Sequence, residues 1–379
     1  MNHQIKVVIG ANYGDEGKGL ISRYFTKNFK EAGHNSVTVF HNGSAQRGHT
    51  VDYEDGTRHV FHNFAAGTKD GGKTYYADTF LVHPMDFCRE VRELGFVPEV
   101  SCSPNCLVVT PFDILADHII EDHIAVLKGV REYGSCGYGT WSATDRAKER
   151  ADLAFTVYAI CAQDYWKVMG MLKEWVISRL KKFGVELDRV PNWKHFFEPN
   201  DPAYMRMCNN FREDFMFFVR AVNFCGFDNI WHENKAIIFE GAQGLMLDKN
   251  LNSDWTTTSN TGLRNPSILL SEYSDFDAEV CYVTRSYLTR HGDGPLSHEA
   301  DKDSVGDISE DMTNQTNPFQ GKLRYAPLNT SRLEERIGAD FMYGGTNNYY
   351  LTTAITHCNE VDCSGGDYRS YSPSKVEKA

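Results

Sequence analysis

Apolar residues recur along the chain at two spacings, one matching strands and the other helices. Ile5–Gly10 is a β-branched run ending on glycine, and Leu20-Ile-Ser-Arg-Tyr-Phe25 is apolar at helical spacing. Ser36-Val-Thr-Val-Phe40 predicts a second strand, so the chain opens β-α-β in the manner of a parallel sheet. A helix is predicted over Pro84–Leu94, with proline in its favoured first turn. A strand over Cys106–Thr110 and an amphipathic helix from Pro111 to about Lys128 follow. The stretch from Ala151 to about Phe224 reads as helical, with a hinge near Pro191–Pro202. Strands return at Ala236–Phe239, Glu279–Tyr287 and Tyr349–Ile355, with a helix over Ser331–Tyr343 between the last two.

The expected class is α/β: an open, mostly parallel sheet with a P-loop-like βα start and an inserted helical subdomain. Residues 1–150 form the first part of the core, 151–234 the insertion, and 235–361 the rest of the core. Residues 362–379, rich in Ser, Gly and charge, read as a loosely ordered tail.

The first chemistry lies in Ala11-Asn-Tyr-Gly-Asp-Glu-Gly-Lys-Gly19. A strand, a glycine-rich turn and a helix start aim backbone N–H groups and a positive helix end at one point, which suits phosphate. Lys18 adds a mobile charge. Asp15 and Glu16 are costly beside a phosphate unless one binds a metal or moves a proton. The loop is not a Walker A, because Gly19 stands where Ser or Thr follows the lysine and Asn12 replaces the first glycine. Nor is it GxGxxG, whose spacing Gly14-Asp-Glu-Gly17-Lys-Gly19 reverses. A carboxylate there suits a reaction whose acceptor must be deprotonated before it attacks a γ-phosphate. Asp15 could be that base and also face Mg²⁺, while His49 could stabilise charge on the transferred oxygen.

Further polar, glycine-rich loops follow other strands. His41–Thr50 comes after the second strand, and Glu240-Gly-Ala-Gln-Gly244 and the hydroxyl run Thr256–Thr261 come later. Loops at the carboxyl ends of adjacent parallel strands would meet at the sheet edge where ligands sit. Gly134–Thr140 also suits a phosphate, and the polar stretch Asn314–Arg324 is long enough to be a functional loop.

Composition narrows the partners. The net charge of −12 comes without a basic stretch, which argues against nucleic acid but allows a nucleotide in a local basic pocket. The ten cysteines are scattered without a CxxC pair, so they read as reduced, buried thiols of a reducing, cytoplasmic compartment. No apolar h-region precedes the first strand, and no window approaches the roughly 18 apolar residues of a membrane span. The aromatics of residues 151–224 read as core, and His59 and His62 as structural.

The loop sequences resemble those of the adenylosuccinate synthetase family. The resemblance is carried by Gly14-Asp-Glu-Gly-Lys-Gly19, Gly48-His-Thr50, Phe239-Glu-Gly-Ala-Gln-Gly244, Thr257-Thr-Ser-Asn260 and Thr289-Arg-His-Gly-Asp-Gly-Pro295, in the family's order. It implies a ligase that phosphorylates the 6-oxygen of a purine monophosphate and then displaces it with the amine of L-aspartate. By position, Asp15 resembles the base that takes the N1 proton and a ligand of Mg²⁺, His49 the assisting acid, and the Gly48 carbonyl a second metal ligand. Gly14, Glu16, Gly17, Lys18, Gly19, Thr50 and Arg324 would hold the triphosphate. Asp15, Gln46, Arg47, Ser135, Cys136, Gln243, Thr257 and Thr258 would meet the monophosphate, as would Arg150 from a neighbouring subunit, which implies a homodimer. Gln320, Gly321, Lys322 and Arg324 would hold aspartate.

The departures point to particular nucleotides. Family members carry a Lys-x-Asp signature that reads the guanine of GTP, and Leu351-Thr-Thr-Ala-Ile-Thr-His-Cys358 has neither residue. A buried guanine edge without an acceptor costs about 1–3 kcal/mol per group, so ATP or dATP is the expected donor. The usual Asn-Ala-Gly-His-Thr reads Gln46-Arg-Gly-His-Thr50, and Lys322 replaces an arginine. These changes, with the short chain, resemble the phage-encoded branch that acts on dGMP to give N6-succino-2-amino-2′-deoxyadenylate, which would place the protein in a host cytoplasm. The alternatives are an ordinary synthetase acting on IMP, a nucleotide-binding regulator without activity, and a P-loop kinase or GTPase.

Overall fold

The computed structural model describes residues 2–128, 137–251, 253, 255–292, 294–311, 321–345 and 348–379. Its centre is a ten-stranded sheet. In chain order its strands are β1 (His3–Gly10), β2 (Ser36–Phe40), then, past the hairpin β3 (His49–Asp52) and β4 (Arg58–Phe61), β5 (Lys73–Tyr76), β6 (Val100–Cys102), β7 (Asn223–Phe224), β8 (Ala236–Gly244) and β9 (Phe276–Arg285). After the small ribbon β10 (Tyr287–His291) and β11 (Leu323–Pro327) come β12 (Tyr349–Thr356), β13 (Tyr368–Ser372) and β14 (Lys375–Lys378). The spatial order is β14-β13-β12-β9-β1-β8-β2-β5-β6-β7, parallel throughout except for the β13–β14 pair.

Strand β1 lies in the middle because its side chains are apolar on both faces: Ile5, Val7, Val8 and Ile9 are all buried. From β1 the chain first builds outward through β2, β5, β6 and β7, then returns to insert β8 beside β1 and build the other way. The carboxyl end of β1 is therefore a topological switch point, where a crevice opens. The expected β-α-β start is present, but β8 separates β1 from β2.

Four helices flank the first half: α1 (Lys18–Glu31), α2 (Pro84–Leu94), α3 (Pro111–Lys128) and α4 (Thr140–Glu149). The insertion packs on the sheet as its aromatics predict. Trp175, Phe211, Phe215 and Phe218 share one core with Phe40, Tyr76, Val100 and Cys102 of the strands. Among the described residues the cysteines are free. None of the described helices is long and apolar enough to cross a membrane.

Two local expectations are corrected. Residues 106–110 form no strand; Leu107 and Val108 make single bridges to Thr156 and Val82, and the strand lies earlier, at β6. The chain turns at Ser103–Asn105, which takes residues 106–110 out of the ladder that pairs β5 with β6. Residues 362–379 are not a loose tail, because they supply β13 and β14. One buried aromatic anchors them. Tyr368 meets Phe25 edge-on at 5.5 Å, and its hydroxyl donates to Glu279 Oε1 at 2.6 Å.

The placement of α4 depends on a buried acid of α3. Asp117 Oδ1 accepts from the Ser142 amide at 3.1 Å and its hydroxyl at 2.6 Å, while burial pushes its carboxyl up to about 8. Between its ordinary value of 3.8 and about 8, the folded protein holds a proton that the unfolded chain has released. The contribution of Asp117 to stability must therefore fall as pH rises through that window. The difference in urea midpoint between the wild type and Asp117→Asn isolates this contribution, and it should move against the wild type as pH rises across that window, because asparagine has no proton to lose there.

Candidate active site

At the carboxyl end of β1 the chain turns back on itself before α1. The turn is tight: a Cβ on Gly244 would stand 2.2 Å from the Asn12 carbonyl oxygen, so only glycine lets the β8 end approach. Gly17 caps α1 in the left-handed region, at φ 88°, with no side chain capping the first turn. The N–H groups that start α1 thus face the crevice with the positive end of the helix behind them.

Glu16 has turned inward. Its Oε1 accepts from the amides of Asn12 at 3.0 Å and Gly14 at 2.7 Å, and its Oε2 from Lys18 Nζ at 3.1 Å. Lys18 Nζ also donates to the Gly14 carbonyl at 2.7 Å. Glu16 therefore braces the turn from within and does not line the crevice, whereas Gly14, Asp15, Gly17, Lys18 and Gly19 do.

The crevice encloses a cavity of about 410 Å³, which Gly48, His49 and Thr50 also line. The two loops meet across α1, where a Cβ on Gly19 would lie 3.0 Å from His49 Cβ. Burial raises the Asp15 carboxyl above its ordinary range, while His291, Arg285 and Lys18 pull it back. Arg285 Nε donates to the Asp15 carbonyl, and Arg285 Nη2 pairs with Asp311 at 2.8 Å. His49 Nδ1 lies 2.6 Å from Glu240 Oε1, and its Nε2 is buried without a partner among the described residues. Burial and the nearby Arg47 hold the imidazole down at about 3, so it is neutral at physiological pH.

The far wall comes partly from the end of the Leu351–Cys358 segment, where the departure from the family signature lies, and partly from segments that the sequence pattern did not single out. Ser309–Asp311, His357, Asn359 and Glu360 line it, together with Ser370, Ser372 and Pro373 of the chain end. Thr356 Oγ1 donates to the Glu16 carbonyl at 2.8 Å, tying the end of β12 to the turn. His357 then takes a left-handed φ of 59°, which is uncommon outside glycine and frequent at ligand sites. Glu360 is already engaged, its Oε2 accepting from the Tyr287 hydroxyl at 2.5 Å and its Oε1 from the Ser309 amide at 3.2 Å.

The remaining expected residues fall into three groups. Gln46, Gln243, Thr257 and Thr258 do not line the cavity, and two of them, Gln46 and Thr258, meet α4. The Thr140 hydroxyl reaches Gln46 Oε1 at 3.4 Å, Gln243 Oε1 is buried without a partner among the described residues, and the Thr258 hydroxyl reaches that of Thr144 on α4 at 3.4 Å. Arg150, Lys322, Gly321 and Arg324 also lie outside the cavity. Arg150 is exposed and paired with Asp152, at a separate hollow shared with Trp175 and Lys182. Arg324 pairs with Glu299 and donates to the carbonyls of Gly292 at 2.7 Å and Gly294 at 2.9 Å, while Lys322 is exposed. Ser135, Cys136 and Gln320, with most of the 314–324 loop, lie outside the described residues.

Arg47 is the clear departure. Expected at the monophosphate, it is instead buried beneath the loop, paired with Glu240 and stacked over the Phe40 ring with Cζ 3.6 Å from its centroid. Three contributors escaped the sequence reading. Arg285 and His291 flank Asp15, and Glu240 backs His49. Glu240 and His291 stood in motifs that carry the resemblance without being given a role, and Arg285 had no signal.

A divalent cation fits this donor set. Asp15 brings one desolvated carboxylate to a cavity that Gly48 also lines and the α1 N-terminus faces. Mg²⁺ commonly takes one or two protein oxygens and completes its shell with water and substrate phosphate. Among the described residues there is no cluster of three acidic, His or Cys ligands that could hold a metal unaided.

Known proteins share both the sequence and the fold. The adenylosuccinate synthetase of Picrophilus torridus is 26% identical over 310 residues, covering 79% of this chain and 66% of that protein. That of Acinetobacter baylyi is 27% identical over 322 residues, 80% of this chain and 66% of the relative. The chain thus spans about two thirds of their length. The fully ligated adenylosuccinate synthetase of Plasmodium falciparum superposes with a TM-score of 0.65 at 17% identity, over 95% of this chain and 77% of that one. The succinoaminodeoxyadenylate synthetase of cyanophage S-2L, bound to dGMP and dATP, gives a TM-score of 0.65 at 14% identity, over 100% of this chain and 96% of that one. A profile of the adenylosuccinate synthetase family matches residues 7–322, and the chain belongs to that family.

Proposed function

We propose that the protein joins L-aspartate to the 6-position of a purine monophosphate, most favourably dGMP, with ATP or dATP as phosphoryl donor. The observation that carries the reaction class is the convergence of the α1 N-terminus, Asp15 and His49 on one cavity. In this reading Asp15 takes the N1 proton, which makes the 6-oxygen a nucleophile toward the γ-phosphate held by Lys18 and the α1 amides. Burial keeps the Asp15 carboxylate short of water, so it gains by taking a proton from the acceptor. His49 is neutral with Nε2 unpartnered; in the tautomer whose Nδ1 accepts from Arg47 Nη2, Nε2–H donates to the transferring oxygen. Mg²⁺ on Asp15 and Gly48 would add positive charge at the phosphates. The amine of aspartate then displaces phosphate from carbon 6. Arg150, exposed on its own subunit, would complete a partner's monophosphate site in a homodimer.

Two features support the nucleotide assignment. On the far wall Glu360 is engaged by Tyr287 and Ser309 rather than held open for a guanine edge. The chain also matches the dGMP-bound cyanophage enzyme over nearly the full length of both. Incubation with Mg²⁺ and aspartate, pairing ATP, dATP or GTP with IMP, GMP or dGMP, tests this by product mass. Product is expected from dGMP with ATP or dATP. Product only from IMP with GTP would overturn both assignments, and phosphoryl transfer without aspartate would overturn the ligase itself.

A further inference from the structure

The least expected side chain near the site is Arg47. It is 2% exposed as a residue, and its side chain is wholly covered. It follows β2, His49 opens β3 and Glu240 lies toward the end of β8, so three separate elements bring this trio together. Arg47 Nη2 donates to Glu240 Oε1 and lies 2.7 Å from His49 Nδ1, while the same Oε1 is 2.6 Å from that Nδ1. The guanidinium carbon also sits over the Phe40 ring. Its Nε and Nη1 have no partner among the described residues and no exposure through which a ligand could reach them.

We infer that Arg47 is a positioning residue. It holds Glu240 in one rotamer, and through the shared carboxylate oxygen it fixes how His49 presents Nε2 to the site, without touching substrate. The physical reason is local. A carboxylate buried beside an imidazole is unstable without a cation and would swing toward whatever donor it could find. The guanidinium pins it by charge through the single Nη2 contact, and its own place is set by packing over the Phe40 ring, which a lysine ammonium does less well. Where the resembled motif has alanine, this chain places the extra cation. The inference rests on the proposed role of His49.

The test compares Arg47→Met, Arg47→Lys, Glu240→Gln and the Arg47→Met/Glu240→Gln pair. It reads kcat, KM for the monophosphate and the ¹⁵N signals of the His49 ring. A misplaced group costs on the order of 10²-fold in rate. Arg47→Met should therefore lose about 10²-fold in kcat with KM within about threefold, and Arg47→Lys should recover part of the loss. The His49 ring signals should move in Arg47→Met, and the pair should be no slower than Glu240→Gln alone. If Arg47→Met does not fold, the pair, which buries neither charge, carries the comparison. A KM rise of about tenfold or more at unchanged kcat would mean substrate contact and overturn the inference, as would additive losses in the pair or unmoved ring signals. Absence of ligase product from the wild type would instead overturn the proposed function, leaving the ring signals to judge the positioning.

Discussion

Asp15→Asn should abolish product formation, lowering kcat by about 10²–10⁴-fold, while nucleotide binding stays largely intact. The substitution keeps the side chain's size and a hydrogen-bonding oxygen but removes the site that accepts a proton. The turn should survive it, because Glu16 and Lys18 brace it from inside and Arg285 holds the main-chain carbonyl of residue 15, not its side chain. Binding of ATP and of the monophosphate, followed by calorimetry beside steady-state turnover, separates the two effects. Unchanged turnover would remove Asp15 from the chemistry, and loss of all binding would make it a structural residue.

Arg146→Met should be the most damaging substitution away from the cavity, at about 3–5 kcal/mol of unfolding free energy. Arg146 is fully buried on α4. Nε donates to Asp113 Oδ1 at 2.9 Å, Nη2 to Asp113 Oδ2 at 3.0 Å and to the Val108 carbonyl at 2.9 Å, and Nη1 to the Leu153 carbonyl. Methionine fills much of the space but leaves the Asp113 carboxylate buried without a cation and two carbonyls short of a donor. Because Asp113 also accepts from the amide and hydroxyl of Thr110, the start of α3 should loosen as well. Urea unfolding measures the loss. A change below about 1 kcal/mol would show that the pair contributes little. The double variant Arg146→Met/Asp113→Asn should recover part of the stability, since no charge is then left uncompensated.

Much of this molecule could be read from local pattern. The ranges of β2, α2 and α3 follow from β-branched runs, a proline at a helix start and a sustained amphipathic stripe, all signals carried within a few residues. The turn before α1 was legible because its glycines and carboxylates make sense only as chemistry. What local pattern could not give was assembly. The insertion of β8 between β1 and β2 is a property of the whole sheet, and it is what puts Glu240 behind His49. The order in residues 362–379 depends on one tyrosine finding Phe25 and Glu279 from far along the chain, which composition does not encode. Arg47 misled for a similar reason. A basic residue in a polar, glycine-rich loop reads as a ligand contact, and only the packing against Phe40 and Glu240 reveals a buried brace.

The central claim is that the 6-oxygen of the acceptor, deprotonated through Asp15, attacks the γ-phosphate and then leaves with it. Acceptor nucleotide labelled with ¹⁸O at the 6-position, turned over with ATP, Mg²⁺ and aspartate, follows that oxygen directly. Mass analysis of the inorganic phosphate should find one ¹⁸O for each succinylated nucleotide formed. Product formed with unlabelled phosphate would contradict the account.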